Sequence, residues 1–122
     1  MTPQDVMKKY EEALASQKWI NVDPLMHNDV CVTFSSGTFK GKTDVQKAFE
    51  QTFSIIKDEE YSISDLHWIY IGDESAICLY CFHWKGLING QLSSGGGRGT
   101  SVLVKVSGKW EILTEHLGPH AS

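Results

Sequence analysis

Apolar residues recur at spacings of three and four near the start of the chain, where Val6, Met7, Tyr10, Ala13 and Leu14 share one stripe of an amphipathic helix. Thr2-Pro3-Gln4-Asp5 supplies its start: a threonine N-cap, a proline at the first helical position and an acid at the positive end of the helix. The stripe runs to about Ser16. Asp23-Pro24 opens a second, short helix with Leu25 and Met26 as apolar contacts and Trp19-Ile20 packed ahead of it. The run DVCVTFS, residues 29–35, alternates as a strand, and Gly37 ends it. Thr43-Asp44-Val45-Gln46 reads as a capping box. The helix behind it carries Val45, Ala48, Phe49, Thr52, Phe53 and Ile56, the clearest amphipathic signal in the chain, and fades into Lys57-Asp58-Glu59-Glu60.

From Tyr61 the pattern changes to a period of two. Residues 61–71 and 75–88 are strand-like around a turn at Gly72-Asp73-Glu74, and residues 98–119 form a hairpin around Ser107-Gly108. Runs of this length suit a sheet that curls over the helices. On residues 76–84, Cys78, Tyr80, Phe82 and Trp84 share one face, and Ile77, Leu79, Cys81 and His83 share the other. Both faces are largely apolar, so the strand should be covered on both sides, by the helices and a pocket on one and by a second copy of the sheet on the other. The intervening SSGGGRG lacks the Lys-Ser/Thr of a phosphate-binding loop and leads into no helix, so it reads as a turn and bulge. Helices followed by a meander of strands make a single α+β domain over residues 1–122, with a cavity between helices and sheet as its default ligand site.

Composition narrows the function. A net charge of −4 with interspersed signs offers no basic stripe to a phosphate backbone, which argues against nucleic acid as a partner. The first residues have no apolar signal-peptide core and no apolar run reaches the ~20 residues of a membrane span, so a soluble, cytoplasmic protein with no membrane partner is expected. Cys31, Cys78 and Cys81, an odd count without an export signal, are read as reduced thiols, and Cys78 and Cys81 point to opposite faces of one strand and cannot clamp a metal or act as a redox pair. His27, His67, His83, His116 and His120 show no metal-ligand spacing. Neither a metal nor a cofactor is expected.

Candidate binding residues concentrate in the last hairpin. Strict alternation puts Arg98, Thr100, Val102, Val104 and Val106 on one side of its first strand, and Trp110, Ile112, Thr114 and His116 on one side of its second. Lys and Arg together number 11, and Arg98 is the single arginine, whose planar fork suits a carboxylate-bearing ligand. His116 is the candidate catalytic group, with a side chain that titrates near neutrality. Glu115 points to the opposite face by the same parity. Tyr10, on the first helical stripe, either fills the core or turns its hydroxyl into the cavity.

The hairpin text, with a small residue before Arg98, Thr100 two further on, an apolar run, Gly108-Lys109-Trp110, and Glu115-His116 shortly before Pro119, resembles the nuclear transport factor 2-like superfamily. The branch it is similar to is the SnoaL-like one, near the association domain of calmodulin-dependent protein kinase and the ketosteroid isomerase-like proteins. The resemblance implies a cone-shaped α+β domain that dimerises, with a pocket reached by Arg98, His116, Tyr10, Tyr80, Phe82, Trp84, Phe34 and Thr100. It implies a small-molecule-binding domain, with an isomerase- or cyclase-type enzyme and an oligomerisation domain as alternatives. Tyr10 matches the donor tyrosine of ketosteroid isomerases. The base aspartate of those enzymes falls on or beside Phe34 and their protonated aspartic acid near Thr100 and Ser101, so the carboxyl groups of that mechanism are missing from those positions.

Overall fold

The computed structural model of the protein describes residues 1–119, so His120 lies outside the described residues. Helix α1 (Pro3–Ser16) begins as the sequence implies, with reciprocal hydrogen bonds between Thr2 and Asp5 closing a capping box. It ends at Gln17, whose φ of 56° is left-handed. The second helical region divides into a short α2 (Trp19–Val22) and a 3-10 turn (Asp23–Leu25), because Pro24 cannot donate to the turn before it. Strand β1 (Met26–Phe34) follows, and α3 (Lys42–Ile55) carries the second amphipathic face.

Three local expectations are corrected. Gly37 does not end the strand region; it starts β2 (Gly37–Lys40), which folds back on β1 around Ser35-Ser36. The N-cap of α3 is Gly41 and not Thr43, and no side chain caps it. At Gly41 the backbone has a φ of 87°, a conformation that glycine adopts without strain. Residues 57–60 do not trail off the helix but open β3 (Lys57–Ile71).

Strands β4 (Ser75–Ile88), β5 (Gln91–Val106) and β6 (Lys109–Gly118) complete a six-stranded sheet in the order β2-β1-β6-β5-β4-β3. Every pairing is antiparallel except β1 with β6. Helix α1 lies against β3 and β6, and α3 against β1 and β2, so both helices cover one face of the sheet. Val6, Met7 and Tyr10 pack there with Val30, Val32, Cys78 and Leu103 in a continuous core. Strand β3 is an edge, and Glu11 of α1 accepts from its Ile63 N–H at 2.6 Å, which satisfies a donor that would otherwise be open to pairing.

The glycine run is also corrected: residues 93–99 lie inside β5, and the turn that precedes them is at Asn89-Gly90. Gly95, Gly97 and Gly99 stand opposite Trp84, Phe82 and Tyr80 across the β4–β5 ladder. A Cβ at Gly95 would lie 2.7 Å from Trp84 Nε1, and one at Gly99 would lie 2.5 Å from the Tyr80 ring. The glycines leave room for three aromatic rings to lie across the neighbouring strand, a pairing that favours strong sheet curvature.

Candidate functional site

A cavity of about 500 Å³ opens between α1, α3 and the inner face of the sheet. Aromatic rings make most of its wall: Phe34 and Phe39 from β1 and β2, Phe49 and Phe53 from α3, Tyr61 from β3, and Phe82 and Trp84 from β4. Phe49 and Phe53 pack edge to face with centroids 6.3 Å apart, and Phe34 and Phe49 pack tilted with centroids 5.8 Å apart. Phe49 is buried in the core, whereas Phe53 is half-buried and lines the cavity.

At the base of the cavity stands Glu115, 1% exposed. Tyr10 from α1 donates to its Oε1 at 2.6 Å. Tyr80 from β4 donates to its Oε2 through a short hydrogen bond, and Ser101 from β5 reaches the same oxygen at 3.5 Å. Tyr80 and Ser101 are themselves joined at 2.8 Å. Burial raises the Glu115 carboxyl above the usual carboxylate range, and the three hydroxyl donors oppose the rise. The same burial, with the negative charge of Glu115 nearby, pushes the Tyr10 and Tyr80 phenols upward and keeps them as donors. Burial also pushes the Cys78 thiol up to about 12, so it is an inert core group.

The inward position of Glu115 depends on one residue. Along the hairpin Ile112 pairs with Leu103 but Thr114 pairs with Val102, so Leu113 is an extra residue in β6, a β-bulge. Trp110 and Ile112 face inward before it. After it the parity reverses, and Glu115 and Leu117 line the cavity while His116 is exposed.

The observed faces correct the expected site: the bulge turns His116 outward, and β5, whose alternation is unbroken, presents its other face to the helices. His116 pairs with Thr100, and Arg98 with Gly118 and Cys81, all on the outer face, whereas Gly97, Gly99, Ser101 and Leu103 take the inner one. Arg98, Thr100 and His116 are therefore absent from the cavity wall, and the expected carboxylate clamp does not form there. Tyr10, Phe34, Phe82 and Trp84 do line it, and Tyr80 stands one hydrogen bond away behind Glu115. Sequence reasoning missed Glu115 because it held to strict alternation. Its one available signal was the carboxylate itself, close to an apolar run.

A second carboxyl group, Glu59, sits on another part of the wall. Burial raises it from its usual 4.5 to about 7, against a smaller opposing effect of Gln17. Gln17 Nε2 donates to Ile56 O at 2.7 Å and reaches Glu59 Oε1 at 3.4 Å, while Glu59 N–H donates back to Gln17 Oε1 at 3.3 Å. Among the described lining residues there is no lysine, arginine or histidine. The described residues also contain no cluster of three or more groups able to hold a metal ion.

Comparison with known proteins gives this architecture a family. No curated protein matches the chain. Among solved structures, a nuclear transport factor 2-like superfamily protein from Salmonella enterica serovar Typhimurium superposes with a TM-score of 0.88 at 14% identity, covering 97% of this chain and 88% of that one. A candidate calcium/calmodulin-dependent protein kinase II association domain from Xanthomonas campestris gives 0.81 at 23% identity, with 95% and 84% covered. A candidate dehydratase of the nuclear transport factor 2-like family from Streptomyces avermitilis gives 0.84 at 14%, with 96% and 92% covered. These likenesses establish the fold. The SnoaL-like domain model matches residues 4–121, and with helices on a curled six-stranded sheet above a buried acid, the chain belongs to the SnoaL-like domain family.

Proposed function

We propose that the protein binds a small, largely apolar organic molecule in the aromatic cavity above Glu115. The observation that carries this reading is the wall itself: a space of about 500 Å³ lined by rings, whose ionisable groups are acids and tyrosines and whose described residues include no cation. That lining disfavours the carboxylate-bearing ligand expected from Arg98, since an anion would enter beside Glu115 and Glu59 without a counter-charge. The test is a titration with 1-naphthalenemethanol followed by amide NMR. Resonances of Thr52, Gly96 and Leu117 should move, and those of Leu79 and Val104 should not. Shifts confined to the outer face, or none, would refute the cavity as the site.

One observation favours a catalytic second reading. Glu115 is a buried acid with a raised pKa that touches both the cavity and two phenols, a combination suited to moving a proton to or from a bound ligand. The dehydratase description of the Streptomyces relative agrees with such chemistry. If turnover occurs, Glu115→Gln abolishes it while retaining ligand binding, and the rate follows an ionisation above the usual carboxylate range.

The reading extends to a homodimer through the outer face of the sheet, where Leu79, at 40% exposed, and Tyr70 present apolar surface. Light scattering at micromolar concentration tests it, and a monomer there would refute it.

A further inference from the structure

We propose that the cavity takes an organic cation, a hydrophobic amine or quaternary ammonium, with Glu59 as its counter-ion. This rests on the reading of the cavity as a small-molecule site and goes beyond it by assigning the charge of the ligand.

The two carboxyl groups of the wall are not equivalent. Glu115 has both oxygens engaged by hydroxyl donors. Glu59 has only the distant Gln17 amide on Oε1, and among the described residues its Oε2 accepts no hydrogen bond. A carboxyl group on the wall with an oxygen that lacks a donor is where a ligand's positive group gains most.

The backbone around Glu59 adds to the same field. Helices α1 and α3 both end there: Gln17 is the C-cap of α1, Ile56 is the C-cap of α3, and the Gln17 side chain ties the two ends together. A helix C-terminus carries partial negative charge, usually offset by Lys, Arg or His in the last turn. Neither helix has a basic residue there. Two helix ends without a basic residue in their last turns and a carboxyl group therefore meet at one point of the wall, and the lysines just past the caps, Lys18 and Lys57, are exposed and do not line it.

The titratable neighbours do not cancel this charge. On α1 is Glu11, whose carboxylate accepts from Ile63 N–H; on β3 is Tyr61, which senses Glu115, Glu59 and Glu11 together; across the cavity is Glu115. Glu60 is exposed and paired with Lys85 at 3.3 Å, which occupies that lysine away from the cavity. The remaining wall is aromatic, and the faces of Phe and Trp rings attract cations that have lost their water.

The experiment uses three probes of one shape: 1-naphthylmethyl(trimethyl)ammonium, 1-naphthalenemethanol and 1-naphthoate, titrated calorimetrically into the full chain. At about pH 8 the ammonium should bind at least about tenfold more tightly than the alcohol, and the naphthoate should bind weakest. Since that ammonium cannot lose its charge, its preference should shrink as pH falls through about 7, where Glu59 takes up a proton. Glu59→Gln should bring the ammonium-to-alcohol ratio towards unity. The pH series on the unmodified protein tests the same point if that variant folds poorly. Equal binding of ammonium and alcohol would overturn the cation assignment and leave the cavity reading standing. A preference that survives Glu59→Gln and is flat with pH would overturn the role of Glu59. Failure of all three probes to bind would refute the cavity reading itself.

Discussion

The two faces of the sheet share their strands but differ in what covers them. On the inner face, β4 and β5 meet as rings lying over glycines, Tyr80 over Gly99 and Phe82 over Gly97, beneath two helices and around a buried acid. On the outer face the same strands present Leu79 beside Thr100 and Cys81 beside Arg98, at least partly exposed in the single chain. The inner face joins residues far apart in sequence, such as Tyr10 and Glu115, into one hydrogen-bonded unit. The outer face is a set of cross-strand neighbours with no element above them among the described residues. Substitutions inside should therefore be costly and coupled, and substitutions outside should be cheap for the isolated fold and matter only to what docks there.

Inserting an alanine between Thr114 and Glu115 is the most severe way to break the contrast. It puts the alanine in the inner place opposite Ser101, turns Glu115 outward and leaves the Tyr10 and Tyr80 hydroxyls without their acceptor. Loss of cooperative thermal unfolding is expected. A variant that melts like the parent would mean that the register of β6 does not set the inner face.

Phe49→Ala comes next. Phe49 is 5% exposed and packs against Trp19, Phe34 and Phe53, so chemical denaturation should show a loss of about 3–5 kcal/mol. Phe53→Ala should cost less, because its half-buried ring borders empty space on the cavity side. Equal losses at the two positions would contradict that difference.

Acid–base linkage gives a smaller and oppositely signed effect from that of most carboxyl groups. The folded protein keeps a proton on Glu59 up to about pH 7, whereas the unfolded chain releases it near the usual 4.5. The associated stability is complete below the unfolded value and is lost as pH rises through about 7, and buried Glu115 acts in the same direction. Melting temperature should fall between about pH 5 and 8, and Glu59→Gln should flatten the decline. A melting temperature that rises steadily over that interval would contradict the burial of both acids.

The outer face should show the smallest effects on the fold. Leu79→Glu should change the stability of the single chain by less than about 0.5 kcal/mol while removing the proposed dimer from light-scattering profiles. Arg98→Ala should change neither stability nor binding of 1-naphthalenemethanol measurably. Weakened binding in the Arg98 variant would show that the two faces communicate.

Much of the architecture could be read along the chain, because its signals are local. The capping box of Thr2 and Asp5, the stripe from Val6 to Leu14 and the alternation on β4 each depend on residues a few positions apart, where helix and strand periods act directly. The resemblance carried by the last hairpin reached the family for a similar reason. Tyr10, Phe34, Phe82 and Trp84, which the resemblance implied as pocket residues, do line the cavity, and Phe82 and Trp84 share the β4 face that local parity gave them. The glycine run was misread as a turn because its role depends on rings in the preceding strand. His116 went to the wrong face and Glu115 was missed because a bulge is decided by strand register: whether Thr114 meets Val102 is settled by how β5, β6 and β1 pair and by the helices above them; Arg98 was misplaced because the alternation along β5, though unbroken, does not say which of its faces meets the helices. The convergence of two helix ends on Glu59 is likewise tertiary, since Gln17, Ile56 and Glu59 become neighbours only when α1 and α3 dock on the sheet. Periodicity determines which residues share a face within an unbroken element; long-range pairing determines where that element breaks and which face becomes the inside.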